Sequence, residues 1–292
     1  MHPFGIFFAF AALLAWTGGD FFIQRSTRKV GNWETLFFIG AIGLIGIFPF
    51  VKDELPRLFE NPSQLALLFL LSIITLVAAL FLFEGVKRGK LAIIEPVFGI
   101  ELTFTVGFSY VLGGEHLGLG IYGVILLVFV GILLTVVKKS NHLYFHKILF
   151  ERGVIWAAIG SIGMGLMNYL WGVGSQTISP LLTIWFVHSF LAIACFLYLF
   201  TLGKAGSIFN HLRYGASTVI PASIFDNLAW IFYGYAMTFA PISIVTTISE
   251  SYIALLVLLG IFVNREKIAP HQFIGIVCIL VGTIIISLMF FD

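Results

Sequence analysis

Six carboxylates interrupt apolar stretches of this chain: Asp20 in AWTGGD, Glu84, Glu95 in IIEPV, Glu101 in FGIELTF, Asp226 in IFDNLAW and Glu250 in TISESYI. His188, in WFVHSF, is equally deep in its run, and no Lys or Arg lies deep in any of them. Ionisable groups in apolar helices are expensive, so they face a cavity and work there, or they glue helices through hydrogen bonds. Carboxylates without a basic neighbour have few options. They hold a proton, share one, pair with His188, or are neutralised by a cationic substrate. The first three options describe a proton-coupling device, and the fourth describes a cation site. Glu84 differs, because Lys87 and Arg88 follow it by three and four residues and make an interfacial ion pair the simpler reading. Glu95 lies between Lys90 and Pro96 and suits a cytoplasmic vestibule. Asp20 either rims that vestibule or pairs with Arg25 or Arg28.

Aromatic residues recur at helical spacing beside these groups. Trp16 is one turn before Asp20 and Trp185 three residues before His188. Trp230 and Tyr233 are one and two turns beyond Asp226, Tyr252 follows Glu250, and Asn168 has Tyr169 and Trp171 beside it. Aromatic faces with a carboxylate suit an ammonium group through cation–π attraction and charge. The competing reading is packing, since 32 phenylalanines must line the core or face lipid. The candidate substrate- and proton-binding set is therefore Glu101, Asp226, Glu250, His188, Trp16, Asn168, Trp185, Asn227, Trp230, Tyr233 and Tyr252. Ser223, Thr246, Thr247, Ser249 and Ser251 add neutral hydrogen-bonding capacity. No metal-ligand spacing and no nucleophile–base pair is visible, and TGGD lacks the fuller motif of intramembrane aspartyl proteases. The expectation is no enzyme, no metal and no cofactor. Cys195 and Cys278 lie in apolar runs and read as inert small hydrophobes.

The elements that must position these residues follow from composition. Of 292 residues, 60% are hydrophobic and 10% charged, with a mean hydropathy of +1.06. Apolar windows of about 20 residues without strict alternation indicate membrane-spanning α-helices, not a barrel. Ten windows emerge: 4–24, 33–51, 63–86, 91–113, 118–138, 152–174, 180–202, 214–239, 242–263 and 269–290. MHPFGIFF lacks a basic leader, so the first window reads as a retained span. A net charge of +2, with no basic domain, gives nucleic acid no footing.

Every basic residue except Lys52 and Arg57 falls in the loops after odd-numbered spans. The positive-inside rule then puts those loops in the cytoplasm and both termini outside.

Five spans per half would invert the second copy, and a duplication is visible. Residues 112–136 match 263–287 at a constant offset, aligning Glu115 with Glu266, Ile125 with Ile276, Val130 with Val281 and Gly131 with Gly282. Upstream, Gly5 aligns with Gly153, Ala9 with Ala157 and Asp20 with Asn168. The organisation expected is a first five-helix repeat at 1–138, a cytoplasmic linker at 139–151 and a second repeat at 152–292. Inverted repeats place a site near the bilayer midplane.

The ends of the two halves, SYVLGGEHLGLGIYGVILLVFVG and LGIFVNREKIAPHQFIGIVCILVG, resemble the EamA type of the drug/metabolite transporter superfamily: an apolar helix, a short turn carrying Glu, then a helix with spaced glycines. The resemblance covers essentially the whole chain and implies an alternating-access carrier of small metabolites. The intramembrane acid content is high for that family and points to a small amine-bearing substrate, an organic cation or amino acid, moved with protons. A neutral or anionic metabolite, or less simply a channel, is the alternative; anionic substrates would need a Lys or Arg near the midplane. A multi-pass protein of the cell (inner) membrane follows, with the small-molecule substrate, protons and the lipid bilayer as partners. A monomer would suffice.

Overall fold

The computed structural model describes residues 3–88, 97, 99–136, 152–204, 206, 208–255, 257–258 and 268–289. Glu95, Pro96, Glu266 and the expected linker at 139–151 lie outside them. The described residues are helical, without strands. In chain order the helices are α1 (Pro3–Val30), α2 (Asn32–Val51), α3 (Leu55–Phe59), α4 (Pro62–Arg88), α5 (Glu101–Val111) and α6 (Leu119–Val136). Then come α7 (Arg152–Thr177), α8 (Pro180–Thr201), α9 (Ile208–Phe239), α10 (Ile242–Glu250) and α11 (Pro270–Leu288). Each expected window overlaps one of these helices, and α3 lies between two windows.

Among the described residues, six stretches are long and apolar enough to cross a membrane: Pro3–Thr27, Asn32–Val51, Pro62–Leu82, Gly153–Thr177, Pro180–Thr201 and Pro270–Leu288. Leu119–Thr135 and Ile242–Leu255 are shorter apolar helices. Beside an apolar core, many polar groups are buried and many large apolar side chains face outward. Ser72, Thr105, Asn168, Thr183, His188, Asp226 and Asn227 are buried, while Phe7, Leu14, Ile45, Phe50 and Ile284 are exposed. Such a surface is stable against lipid, where polar groups must find partners inside the protein.

Local chemistry sets the ends of these helices. Gly31 separates α1 from α2 at a φ of 105°, which glycine adopts without strain. Ser179 caps α8, its hydroxyl accepting from the Leu182 N–H, with Pro180 in the first turn. Gln272 accepts from the Ala269 N–H at the start of α11.

The chain forms two compact units, and neither coincides with a sequence repeat. One comprises residues 1–10, 74–169 and 239–292; the other comprises 11–73 and 170–238. In the first, α6 packs on α11 and α5 on α10; in the second, α2 packs on α8. Each pairing joins corresponding spans of the two halves. Close approach depends on absent side chains, as where a methyl at Gly131 would come within 2.9 Å of the Gly275 carbonyl oxygen.

Candidate functional site

In the unit formed by 11–73 and 170–238, α9 presents Asp226, Trp230 and Tyr233 on successive turns of one face. The Trp230 indole N–H is within interaction range of the Asp226 carboxylate. The Trp230 ring lies 5.1 Å from Trp16 of α1 and 4.3 Å from Trp171 of α7, with Tyr233 4.9 Å from Trp16. Four aromatic rings thus form one cluster, which Trp230 joins to the buried Asp226. The Gly18-Gly19 pair lets α1 approach α9 here: a methyl on Gly19 would sit 3.6 Å from the Asp226 backbone nitrogen. That approach brings Asp20 into electrostatic range of Asp226, an encounter absent from both sequence readings of Asp20. The Arg25 guanidinium lies over the Phe21 ring at 3.9 Å.

His188 of α8 completes the group. Asn227 donates both amide hydrogens, to the Ile39 carbonyl at 3.0 Å and the Ser223 carbonyl at 2.8 Å. Its Oδ1 must therefore accept, and it faces His188 Nδ1 at 2.9 Å. This network assigns the proton of a neutral imidazole to Nδ1 and leaves the Nε2 lone pair free. Nε2 lies 4.0 Å from Asp226 Oδ2. A carboxyl and an imidazole nitrogen so placed can share one proton after a small approach. Gly43 of α2 makes room for the assembly, since a side chain there would run into Asn227 Oδ1 and His188 Nδ1.

Not every sequence candidate joins this group. Trp185 donates to the Leu44 carbonyl at 3.0 Å and lies 6.1 Å from Phe48, which ties it to α2.

The other unit holds the remaining candidates. Glu101 is expected in mid-span but is the first residue of α5, after a turn at Gly99-Ile100. Asn168 donates to Glu101 Oε1 at 2.7 Å and to Thr105 Oγ1 at 3.4 Å. Glu250 likewise sits at a break, as the last residue of α10, before the Ser251 turn and the helix that resumes at Tyr252. The hydroxyls around Glu250 are spent inside the fold. Thr246 and Thr247 donate to the carbonyls of Ile242 and Ser243, Ser249 donates to the Ala9 carbonyl, and Ser251 shares a 2.6 Å bond with Thr283. The polar stripe of the ninth span thus reads as helix packing.

Glu115 is a residue the sequence used only as a repeat marker. Its carboxylate accepts from the Ile242 N–H, from the Ser243 N–H at 3.1 Å and from the Ser243 hydroxyl at 2.7 Å. The first N–H groups of a helix have no partner within it, and a carboxylate there also meets the positive end of the helix dipole. The loop holding Glu115 is itself pinned: its N–H donates to the Ser109 carbonyl and its carbonyl accepts from Tyr122. A Glu in the turn between two apolar spans was the available signal for this cap. Its distant partner was not readable.

Among the described residues no group of three or more His, Cys, Asp and Glu side chains could hold a metal ion. The EamA-like transporter family matches residues 3–137 and again 151–288. The chain belongs to that family. The double match covers almost the whole sequence as two repeats, and family membership points to a multi-pass membrane transporter of the drug/metabolite type and not to an enzyme. No curated protein matches it. A solved crystal structure superposes with a TM-score of 0.78 over 98% of this chain and 96% of that one, at 16% identity, which shows a shared fold alone.

Proposed function

We propose that this EamA-family protein is a proton-coupled secondary active transporter of a small amine-bearing metabolite, an organic cation or an amino acid. It would cross the cell membrane ten times as two inverted five-helix repeats, with both termini outside. The observation that carries the substrate class is the Asp226 carboxylate, which Trp230 links to an aromatic cluster with Trp16, Trp171 and Tyr233, and which lies 4.0 Å from His188 Nε2. No Lys or Arg is among the buried residues described, so a bound ammonium would meet the carboxylate and the aromatic faces without a competing cation.

Coupling follows from occupancy. With a proton shared between Asp226 and His188 the carboxylate is neutralised and has little hold on an amine. With an amine bound, the ammonium supplies the positive charge and the proton is released. Two cations using one carboxylate exchange for each other by linkage. The test is stabilisation of the purified protein by a panel of amines, anions and neutral metabolites, followed by flux in liposomes at two pH values. Amines should raise Tm, and Asp226→Asn should move that rise to amine concentrations roughly 10- to 100-fold higher. A tightly bound anion indifferent to Asp226→Asn would overturn it, and ohmic currents would show a channel instead.

A further inference from the structure

The orientation and aromatic site proposed above leave unexplained a second set of polar atoms in the same compact unit. Trp171 Nε1, Ser175 Oγ and Thr183 Oγ1 have no hydrogen-bond partner, although these residues are only 1%, 3% and 0% exposed. Burying a polar group unpaired destabilises the state that buries it. All three lie where the end of α7, the start of α8 and the end of α9 meet. Contact there is through glycines. A methyl on Gly234 would come within 3.0 Å of Ser175 Oγ, 3.1 Å of Pro180 and 3.5 Å of Trp171 Nε1, and one on Gly174 within 3.1 Å of Thr183 Oγ1. Gln176 fastens the seam by donating to the Met237 carbonyl at 2.7 Å.

The seam has different surroundings at its two ends. Asp226, Trp230 and Gly234 stand on successive turns of α9, so the seam is roughly 12 Å along the helix from the carboxylate at 1.5 Å per residue. Trp171 belongs to both, its ring in the aromatic group and its N–H in the seam. The Ile178-Ser179 loop that joins α7 to α8 lines a cavity of about 510 Å³, together with Glu54, Arg57, Asn61, Gln64 and Leu182. Leu182 is the residue before Thr183. The cavity is at the end of these helices that the charge distribution puts outside.

We infer that the meeting of α7, α8 and α9 at Gly174, Ser175, Thr183 and Gly234 is the outer gate between this cavity and the aromatic site. The three unpartnered polar groups bias the gate toward opening. Glycine contacts and the Gln176 bond close it. Opening restores water to the indole N–H and both hydroxyls, so the closed and open states differ little in free energy, as a gate that cycles requires.

Accessibility of Ser175→Cys to a membrane-impermeant thiol reagent, added from either side of oriented vesicles without substrate, tests this. The parent chain, with buried Cys195 and partly buried Cys278, sets the background. Ser175→Cys should label from the outer side. Adding Gly234→Ala, which props the seam apart, should raise the rate at least about fivefold by shifting the open population. Adding Thr183→Val, which removes an unpartnered hydroxyl at nearly constant shape, should lower the rate and raise Tm. Labelling only from the cytoplasmic side, or a rate indifferent to both substitutions, overturns the gate. If Gly234→Ala does not fold, Thr183→Val decides alone, and an unchanged or lower Tm sinks the proposal. None of these readouts involves an amine, so the substrate reading can fail without touching them.

Discussion

Asp226 and Glu101 carry the same functional group in two different settings. Glu101 opens α5, where the first N–H groups of the helix have no partner within it, and its Oε1 accepts from the Asn168 amide. That donated hydrogen bond stabilises negative charge on the Glu101 carboxylate. Asp226 lies in the interior of α9, beside the Trp230 indole of the aromatic cluster and an imidazole nitrogen that can itself accept a proton. That setting suits a charge that is taken up and given back. The two acids differ in what their neighbours can do with a proton, and depth in the span does not capture that difference.

The comparison can be broken by mutation. The largest effect is expected of Asp226→Asn, which removes a charged partner worth about 1.5–3 kcal/mol and should weaken amine binding by roughly 10- to 100-fold in a thermal-shift titration. Equal loss in Glu101→Gln would erase the distinction between the two acids. Gly43→Ala comes next, since its methyl enters the space of His188 and Asn227. Overpacking of this kind should destabilise the protein by about 1–3 kcal/mol, seen as a lower Tm, and should disturb the pH dependence of flux. His188→Gln sharpens the proton assignment. Amine stabilisation should persist while the pH dependence of transport flattens; retention of the full wild-type pH profile would remove His188 from the coupling. The smallest effect is expected of Glu101→Gln. Its amide still accepts from Asn168, so amine affinity should fall only a few-fold, about 1 kcal/mol or less.

The polar residues differ in how much of their role could be read along the chain. Asp226, Trp230 and Tyr233 were readable together, because i, i+4 and i+7 fall on one helix face whatever the fold. Trp16 was readable as a candidate, but that it meets Trp230 was not, since over 200 residues separate them. Trp185 carried the same signal as Trp16 and went elsewhere, onto the Leu44 carbonyl. Thr246 and Thr247 carry hydrogen-bonding capacity in the sequence, yet hydroxyls in a helix can bond back to carbonyls four residues earlier, and here they do. Glu101 and Glu250 fall well inside the windows 91–113 and 242–263, because hydropathy is blind to a break that leaves the apolar run intact.

By itself the sequence determined that the chain is helical, membrane-embedded, duplicated and of the EamA family. Those properties rest on composition and on patterns that recur along one dimension. It also named the acids that must be accounted for, because an uncompensated carboxylate in an apolar helix is conspicuous wherever it packs. Only the tertiary structure decided which of them meets a base and which meets an amide. It also showed that Glu115 caps α10 and that Gly43 and Gly234 mark close contacts. These facts depend on distances between helices distant in sequence. Such distances are set by packing over the whole unit, and a glycine records only that some contact there is close, not with what.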